Sequence, residues 1–307
     1  MDDAHLTSPL ARFEGGVPPS PAWFKDAIGK APEVGEVEVA GARIETLAWG
    51  EVGDPGVLLA HGSGAHAHWY AFIAPLLARG RRVVAFSWSG MGGSDHRASY
   101  SREGFVAEAM TVARAKGLFA SGKKPVFVGH SFGGRMGLAI AAAEGMHWRG
   151  AIILDPPVFA PSRRKMRPPG SREFKPHKIY PTFKAAMARF RFAPPQPCEH
   201  LYIADYIARL SLKEVEGGWT WRFDPYLWRD MRIEDVDPVI RAARCPLALL
   251  RGSQSKLMLL EDAAYMRALL APGSIYAEIP EAEHHVMIDQ PLALTAAVDV
   301  VLSGWGV

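Results

Sequence analysis

The sequence predicts an α/β protein whose mostly parallel sheet is covered on both faces, and three observations carry that prediction. Short, uniformly apolar runs recur along the chain: GVLLA (56–60), RVVAFSW (82–88), PVFVG (125–129), AIILD (151–155), PLALL (246–250) and SIYAEI (274–279). Runs this short and this continuously apolar suit strands buried on both faces. Longer helical patterns separate them at 68–79, 102–117, 132–144, 259–270 and 290–302, as crossover connections between parallel strands require. The composition agrees, since 307 residues with 49% hydrophobic and 22% charged content can bury a large core.

Taken in order, MDDAHLTSPLARFEGG is acidic at its start and lacks an apolar stretch, so it does not read as a signal peptide. PPSPAWF reads as a loop leading into a short amphipathic helix, within an N-terminal segment 1–35 that packs on the core. EVEVAGARIETLAW reads as two strands joined by a tight Ala-Gly turn. The core is expected at 36–156 and 243–307. Between AIILDPP and CPLALL the rhythm breaks, and residues 157–242 are rich in Pro, Arg, Lys and aromatics with no parallel-strand run. A stretch that long is rarely structureless inside a compact domain, so an inserted helical cap is expected.

Several classes are excluded or constrained by composition. No apolar run approaches the ~20 residues of a membrane span, so no integral membrane segment is expected. A net charge of +3 is too small to imply a nucleic-acid partner. Cys198 and Cys245 have no metal-type spacing; a reduced, cytoplasmic setting is the default expectation, with a single disulfide left open. A monomer or homodimer is expected.

FVGHSFGG (127–134) carries the strongest chemical signal. It follows an apolar strand, precedes the helical pattern RMGLAIAAAEG, and matches G-x-S-x-G through Gly129, Ser131 and Gly133. A strand turning sharply into a helix holds the central residue in strained geometry, and small residues two positions either side let neighbouring elements pass. The turn also presents the hydroxyl at a helix N-terminus, where a developing oxyanion is stabilised.

LLAHGSG (58–64), SWSGMGGSD (87–95), GHSFGG and EHHVMIDQP (283–291) together resemble the α/β-hydrolase superfamily, in its order and approximate spacing over about residues 36–303. The resemblance implies an eight-stranded, mostly parallel sheet with helices on both faces and a site at the strands' C-terminal ends. It also implies Ser131 as nucleophile, with the backbone N–H groups of Ser63 and Phe132 as oxyanion donors. The family's histidine stands five residues before the acidic position of a final [DE]-x-P; counting back from Asp289-Gln290-Pro291 gives His284, with His285 as runner-up. His61 is expected to order its loop. His66 and His68 raise a metal site, but Trp69-Tyr70 stands where a dinuclear hydrolase needs an aspartate, so no metal or other cofactor is expected.

The acid is the departure. Family members often carry it as Gly-x-x-Asp after the strand corresponding to PLALL, and here that count from Gly252 lands on Ser255, with Lys256 beside it. Neither can orient an imidazole or balance its charge. Asp155 ends the strand AIILD, one strand nearer the serine, a position that some relatives such as haloalkane dehalogenases and zearalenone lactonases use. It is the first choice, against Asp262 or Glu261 in a following helix, Asp95 in a Gly-rich turn, or no conventional acid at all.

From Pro161 to Phe192 the chain carries ten cations, Arg163, Arg164, Lys165, Arg167, Arg172, Lys175, Lys178, Lys184, Arg189 and Arg191, against Glu173 alone. Three readings stay open: a lid attracting an anionic substrate, adhesion to an anionic membrane, or a solvated loop. Trp219, Trp221 and Phe223 alternate with polar residues, and either line an acyl or aromatic pocket or pack the cap onto the sheet. The expectation is a serine hydrolase that cleaves a carboxylic ester of a small to medium apolar or aromatic substrate through an acyl-enzyme. Lactone or carbon–carbon bond cleavage and a non-catalytic small-molecule receptor are the alternatives.

Overall fold

The computed structural model describes residues 8–164, 174–229, 231 and 235–307. β1 (Glu33–Val39) and β2 (Ala42–Trp49) form an antiparallel hairpin. Its turn residues Ala40 and Gly41 have φ of 46° and 77°, the paired positive angles whose twist matches that of the flanking strands. β3 (Gly56–Ala60), β4 (Arg82–Phe86), β5 (Val126–His130) and β6 (Gly150–Leu154) follow as five-residue, fully buried strands. β7 (Leu212–Val215) and β8 (Gly218–Trp221) make a separate hairpin. β9 (Leu247–Gly252) and β10 (Ile275–Ile279) then return to the main sheet.

That sheet has eight strands in the order β1-β2-β4-β3-β5-β6-β9-β10. Only the β1–β2 and β2–β4 pairings are antiparallel; the other five are parallel. Alternate residues feed two cores. Val57 and Leu59 pack with Leu47 and Val128 on one face, and Leu58 and Ala60 with Val84 and Phe127 on the other. This two-sided burial is why the runs are apolar throughout rather than alternating.

The helices are α1 (Ala22–Ile28), α2 (Ala74–Leu77), α3 (Arg102–Ala115), α4 (Phe132–Ala143), α5 (Phe183–Met187), α6 (Leu201–Leu210), α7 (Asp237–Arg241), α8 (Leu260–Leu269), α9 (Val286–Asp289) and α10 (Pro291–Gly304). The helix expected over 68–79 is instead a 3-10 turn, Ala67–Tyr70, and the four-residue α2. Pro75 explains the break: it lacks an N–H, and its ring would collide with the carbonyl four residues earlier.

The inserted segment departs from an all-helical expectation, because it carries the β7–β8 hairpin beside α5, α6 and α7. Its turn, Glu216-Gly217, runs into Gly218, and the two glycines have φ of 85° and 141°. A Cβ at Gly218 would meet the Tyr180 carbonyl at 2.0 Å. The chain therefore reverses tightly against Tyr180, and the Trp-Thr-Trp alternation becomes a strand. Cys198 and Cys245 are not bonded to each other. No helix among the described residues is long and apolar enough to cross a membrane.

Candidate active site

Ser131 sits between β5 and α4 with φ 54° and ψ −114°, a backbone state that costs a non-glycine residue roughly 1–3 kcal/mol. Its N–H is held by the Leu154 carbonyl at 2.9 Å, on the neighbouring β6. The flanking glycines are steric necessities: a Cβ at Gly129 would lie 2.3 Å from the Gly133 carbonyl oxygen, and one at Gly133 would lie 2.4 Å from that of Ala60. The turn thus jams β3, β5 and α4 together and leaves the serine hydroxyl at the C-terminal edge of the sheet.

His284 lies in the loop between β10 and α9, and its ring bridges two partners. Nδ1 is 2.7 Å from Asp155 Oδ2, and Nε2 is 3.0 Å from Ser131 Oγ. Nδ1, facing a carboxylate, carries the proton, and Nε2 is left to accept from the serine hydroxyl. The loop is fixed from three sides. His130 Nε2 donates to the His284 carbonyl at 2.9 Å, and the Glu283 N–H donates to Asp289 Oδ2 at 2.8 Å. The His285 N–H donates to Gln196 Oε1 at 2.8 Å. Gln196 also donates from Nε2 to both Asp289 oxygens at 3.0 and 2.9 Å, tying the inserted segment to the histidine loop. Burial pushes the Asp289 carboxyl up to about 6. Burial also holds His130 and His285 well below the ordinary imidazole value, so both stay neutral.

Asp155 follows β6 with φ 42° and is fully buried. A carboxylate out of water survives only if its lone pairs are met, and Asp155 has three donors. Besides His284, Oδ1 accepts the Gly252 N–H at 3.2 Å and Oδ2 accepts the Ser255 hydroxyl at 2.6 Å. Ser255, at the position where the usual acid is missing, thus touches the carboxylate that faces the histidine. Its Oγ also accepts the Met258 N–H at 3.1 Å. Lys256 turns outward to Glu283 at 2.7 Å. Gly252 lets these loops meet, since a Cβ there would lie 2.2 Å from the Glu283 carbonyl.

The other carboxylates are engaged elsewhere. Asp262 is fully buried, but it accepts the Ala160 and Leu259 N–H groups at 2.8 and 2.9 Å and pairs with Arg163, pinning the start of the insertion to α8. Glu261 reaches Ser162 and Arg163 at the surface. Asp95 is bound to Arg43. His285 is engaged elsewhere, with its ring edge-on to Trp69 at 5.4 Å and Nε2 donating to the Pro194 carbonyl.

The loop after β3 abuts the serine: a Cβ at Gly62 would stand 3.1 Å from Ser131 Cβ. Among the described residues the Ser63 and Phe132 N–H groups have no protein acceptor, Phe132 because it opens α4. His61 is an organiser of this loop. Its Nδ1 donates to the Gly62 carbonyl at 2.7 Å, and its Nε2 accepts the Trp88 N–H at 3.1 Å. Burial pushes it down to about 4, which keeps that accepting nitrogen unprotonated. His66, likewise pushed down to about 3 by burial, bonds to Ser211.

A cleft of about 650 Å³ opens beside Ser63 and is walled by Trp221 and Phe223. Trp219 does not line it. The bridge from Tyr180 to Trp219 turns that ring onto Phe183 of α5, centroids 4.9 Å apart, where it packs within the insertion. Among the described residues His130, His284 and His285 form the one group of metal-ligand type, with nitrogens within 4.8 Å of one another. An ion there would have to withdraw His284 from Ser131 or Asp155.

The model of the alpha/beta hydrolase family matches residues 57–298. A serine hydrolase-like protein of Danio rerio is 24% identical over 282 residues, 81% of this chain and 82% of the relative. Among solved structures, the thioesterase domain from the curacin biosynthetic pathway superposes with a TM-score of 0.73 at 23% identity, covering 89% of this chain and 99% of that one. E-2-(acetamidomethylene)succinate hydrolase gives 0.70 at 19% identity, covering 88% and 98%. An esterase from Mycobacterium tuberculosis gives 0.67 at 23% identity, covering 96% and 97%. The structural likenesses show a shared fold, and the family match spans both the serine turn and the histidine loop. The chain belongs to the alpha/beta hydrolase family.

Proposed function

We propose that the chain is a serine hydrolase that cleaves a carboxylic ester through an acyl-enzyme. The observation that carries this reading is the single imidazole of His284, 3.0 Å from Ser131 Oγ on one side and 2.7 Å from Asp155 Oδ2 on the other. Ser131 attacks the ester carbonyl while its proton passes to His284 Nε2. The imidazolium keeps its Nδ1 proton on Asp155, whose charge stabilises it. The tetrahedral oxygen gains charge only during reaction, and the Ser63 and Phe132 N–H groups are free to receive it. Collapse expels the alcohol, which takes the proton back from His284. Water, deprotonated by the same nitrogen, then releases the acid and regenerates Ser131.

Residues 157–242 act as the cap over a core of 36–156 and 243–307, with 1–35 as an N-terminal segment. Support comes from the Gln196 contact with the histidine loop and from Trp221 and Phe223 on the cleft wall. The two unbonded cysteines favour a reducing, cytoplasmic setting. The test is labelling with a fluorophosphonate, followed by a panel of p-nitrophenyl esters and lactones. A stoichiometric adduct on Ser131, with turnover abolished in Ser131→Ala, is expected. Lactone turnover without ester turnover would move the activity to the lactonase alternative, and absence of any adduct would favour a receptor.

A further inference from the structure

Resting on the ester-hydrolase reading, we infer that Lys178, Arg189 and Arg191 form an anion-recognition subsite in the same cleft, selecting esters whose acyl chain ends in a carboxylate or phosphate. The structure sorts the ten cations of the basic segment. Arg163 pairs with Asp262 and Glu261, Arg164 with Asp235 and Asp237, and Lys184 with Glu14. Lys175 has a partner, and Lys165, Arg167 and Arg172 lie outside the described residues. Lys178, Arg189 and Arg191 have no carboxylate within ion-pair distance among the described residues, and these are the three that line the cleft beside Ser63. Among the described residues no acidic side chain lines it with them.

Three like charges lining one cleft, with no acid among its described lining residues, raise the potential there for an anion. Guanidinium forks suit the planar oxygens of carboxylate and the oxygens of phosphate. Trp221 and Phe223 line the same cleft, which therefore offers apolar surface for the chain between the scissile carbonyl and the anionic end. The substrate class is therefore an ω-anionic acyl ester, such as the monoester of a medium-chain dicarboxylic acid.

The experiment compares mono-p-nitrophenyl suberate with p-nitrophenyl octanoate, in the wild type and in Arg189→Gln/Arg191→Gln. The wild type is expected to favour the anionic ester about tenfold or more in kcat/KM at low ionic strength, with the ratio shrinking in 0.5 M salt. In the double variant the ratio falls toward one, and in Lys184→Gln, a cation paired away from the cleft, it does not move. Calorimetric binding of suberate and of octyl phosphate to the wild type and the double variant tests the subsite without turnover and separates the two anions. Equal kcat/KM on both esters, or a preference untouched by the double variant, overturns the subsite while leaving ester hydrolysis standing. If neither ester is cleaved, the hydrolase reading fails, and suberate or octyl phosphate binding lost in the variant still decides the subsite. Binding to phosphatidylglycerol vesicles through these arginines, with no ester selectivity, would also overturn it.

Discussion

Replacing Asp155 by Asn tests the site at its least conventional point. The buried carboxylate accepts from the Gly252 N–H, the Ser255 hydroxyl and His284 Nδ1. An amide can satisfy these partners in only one of two ways. With its oxygen toward Ser255 and His284, its NH2 faces the Gly252 N–H, a donor against a donor costing about 1–3 kcal/mol. Flipped, the NH2 faces His284 and forces the other tautomer, whose Nε2 proton points at Ser131 and cannot accept. Either way the imidazolium loses a counter-charge. Two unit charges about 4 Å apart attract by about 4 kcal/mol at an effective dielectric of ~20, so a loss of about a thousandfold in kcat is expected. The stability cost corresponds to a fall of a few degrees in melting temperature. Asp262→Asn should do the reverse. It loosens Ala160, Leu259 and Arg163, lowering the melting temperature with turnover within about threefold. The assay is p-nitrophenyl ester hydrolysis with thermal melts on both variants. Asp155→Asn retaining more than a tenth of the activity, alongside loss of turnover in Asp262→Asn, would refute the assignment of the acid.

Three further outcomes are expected. Ser255→Ala removes the hydroxyl 2.6 Å from Asp155 and the acceptor of the Met258 N–H, so stability should fall by about 1.5–3 kcal/mol in urea titration. Turnover should fall far less than in Asp155→Asn, and an equal loss would mean that Ser255 itself moves protons. Gly129→Ala places a Cβ 2.3 Å from the Gly133 carbonyl and should destabilise by about 3 kcal/mol or more, or prevent folding; a wild-type melting curve would contradict the packing described. Asp289, ordinarily at 3.8, is pushed by burial to about 6 in the folded chain, so folding favours its protonated form. That contribution is fully present below about pH 4 and is lost as the pH rises through about 6. The melting temperature of the wild type relative to Asp289→Asn should therefore fall between pH 4 and 7, and parallel curves would show that Asp289 does not titrate in this window.

The acid illustrates how far linear order reaches. The strands were legible because burial on both faces makes each run apolar without interruption, as in GVLLA and AIILD. The serine turn was legible because its chemistry is local: Gly129 and Gly133 are demanded by contacts within a few residues and with the β3 end. The helix over 68–79 was overread because an apolar pattern does not weigh a single proline against the rest of the run. The insertion's hairpin was legible only in the alternation of Trp219 and Trp221, because its other strand, Leu212–Val215, is a four-residue LKEV with little apolar pattern.

What the sequence by itself determined was the sheet, the strained serine and a histidine after the last strand, each set by residues adjacent in the chain. What only the tertiary structure decided was which carboxylate faces that histidine. β6 and β9 lie side by side, so Asp155 at the end of one meets Ser255 beyond the end of the other. It decided equally that Asp262 serves Arg163 and that Trp219 faces Phe183. It also decided that three of the basic residues line a cleft with no acid among the described residues. Hydrogen bonds and ion pairs act over about 3–4 Å, and separation along the chain does not say which groups come that close.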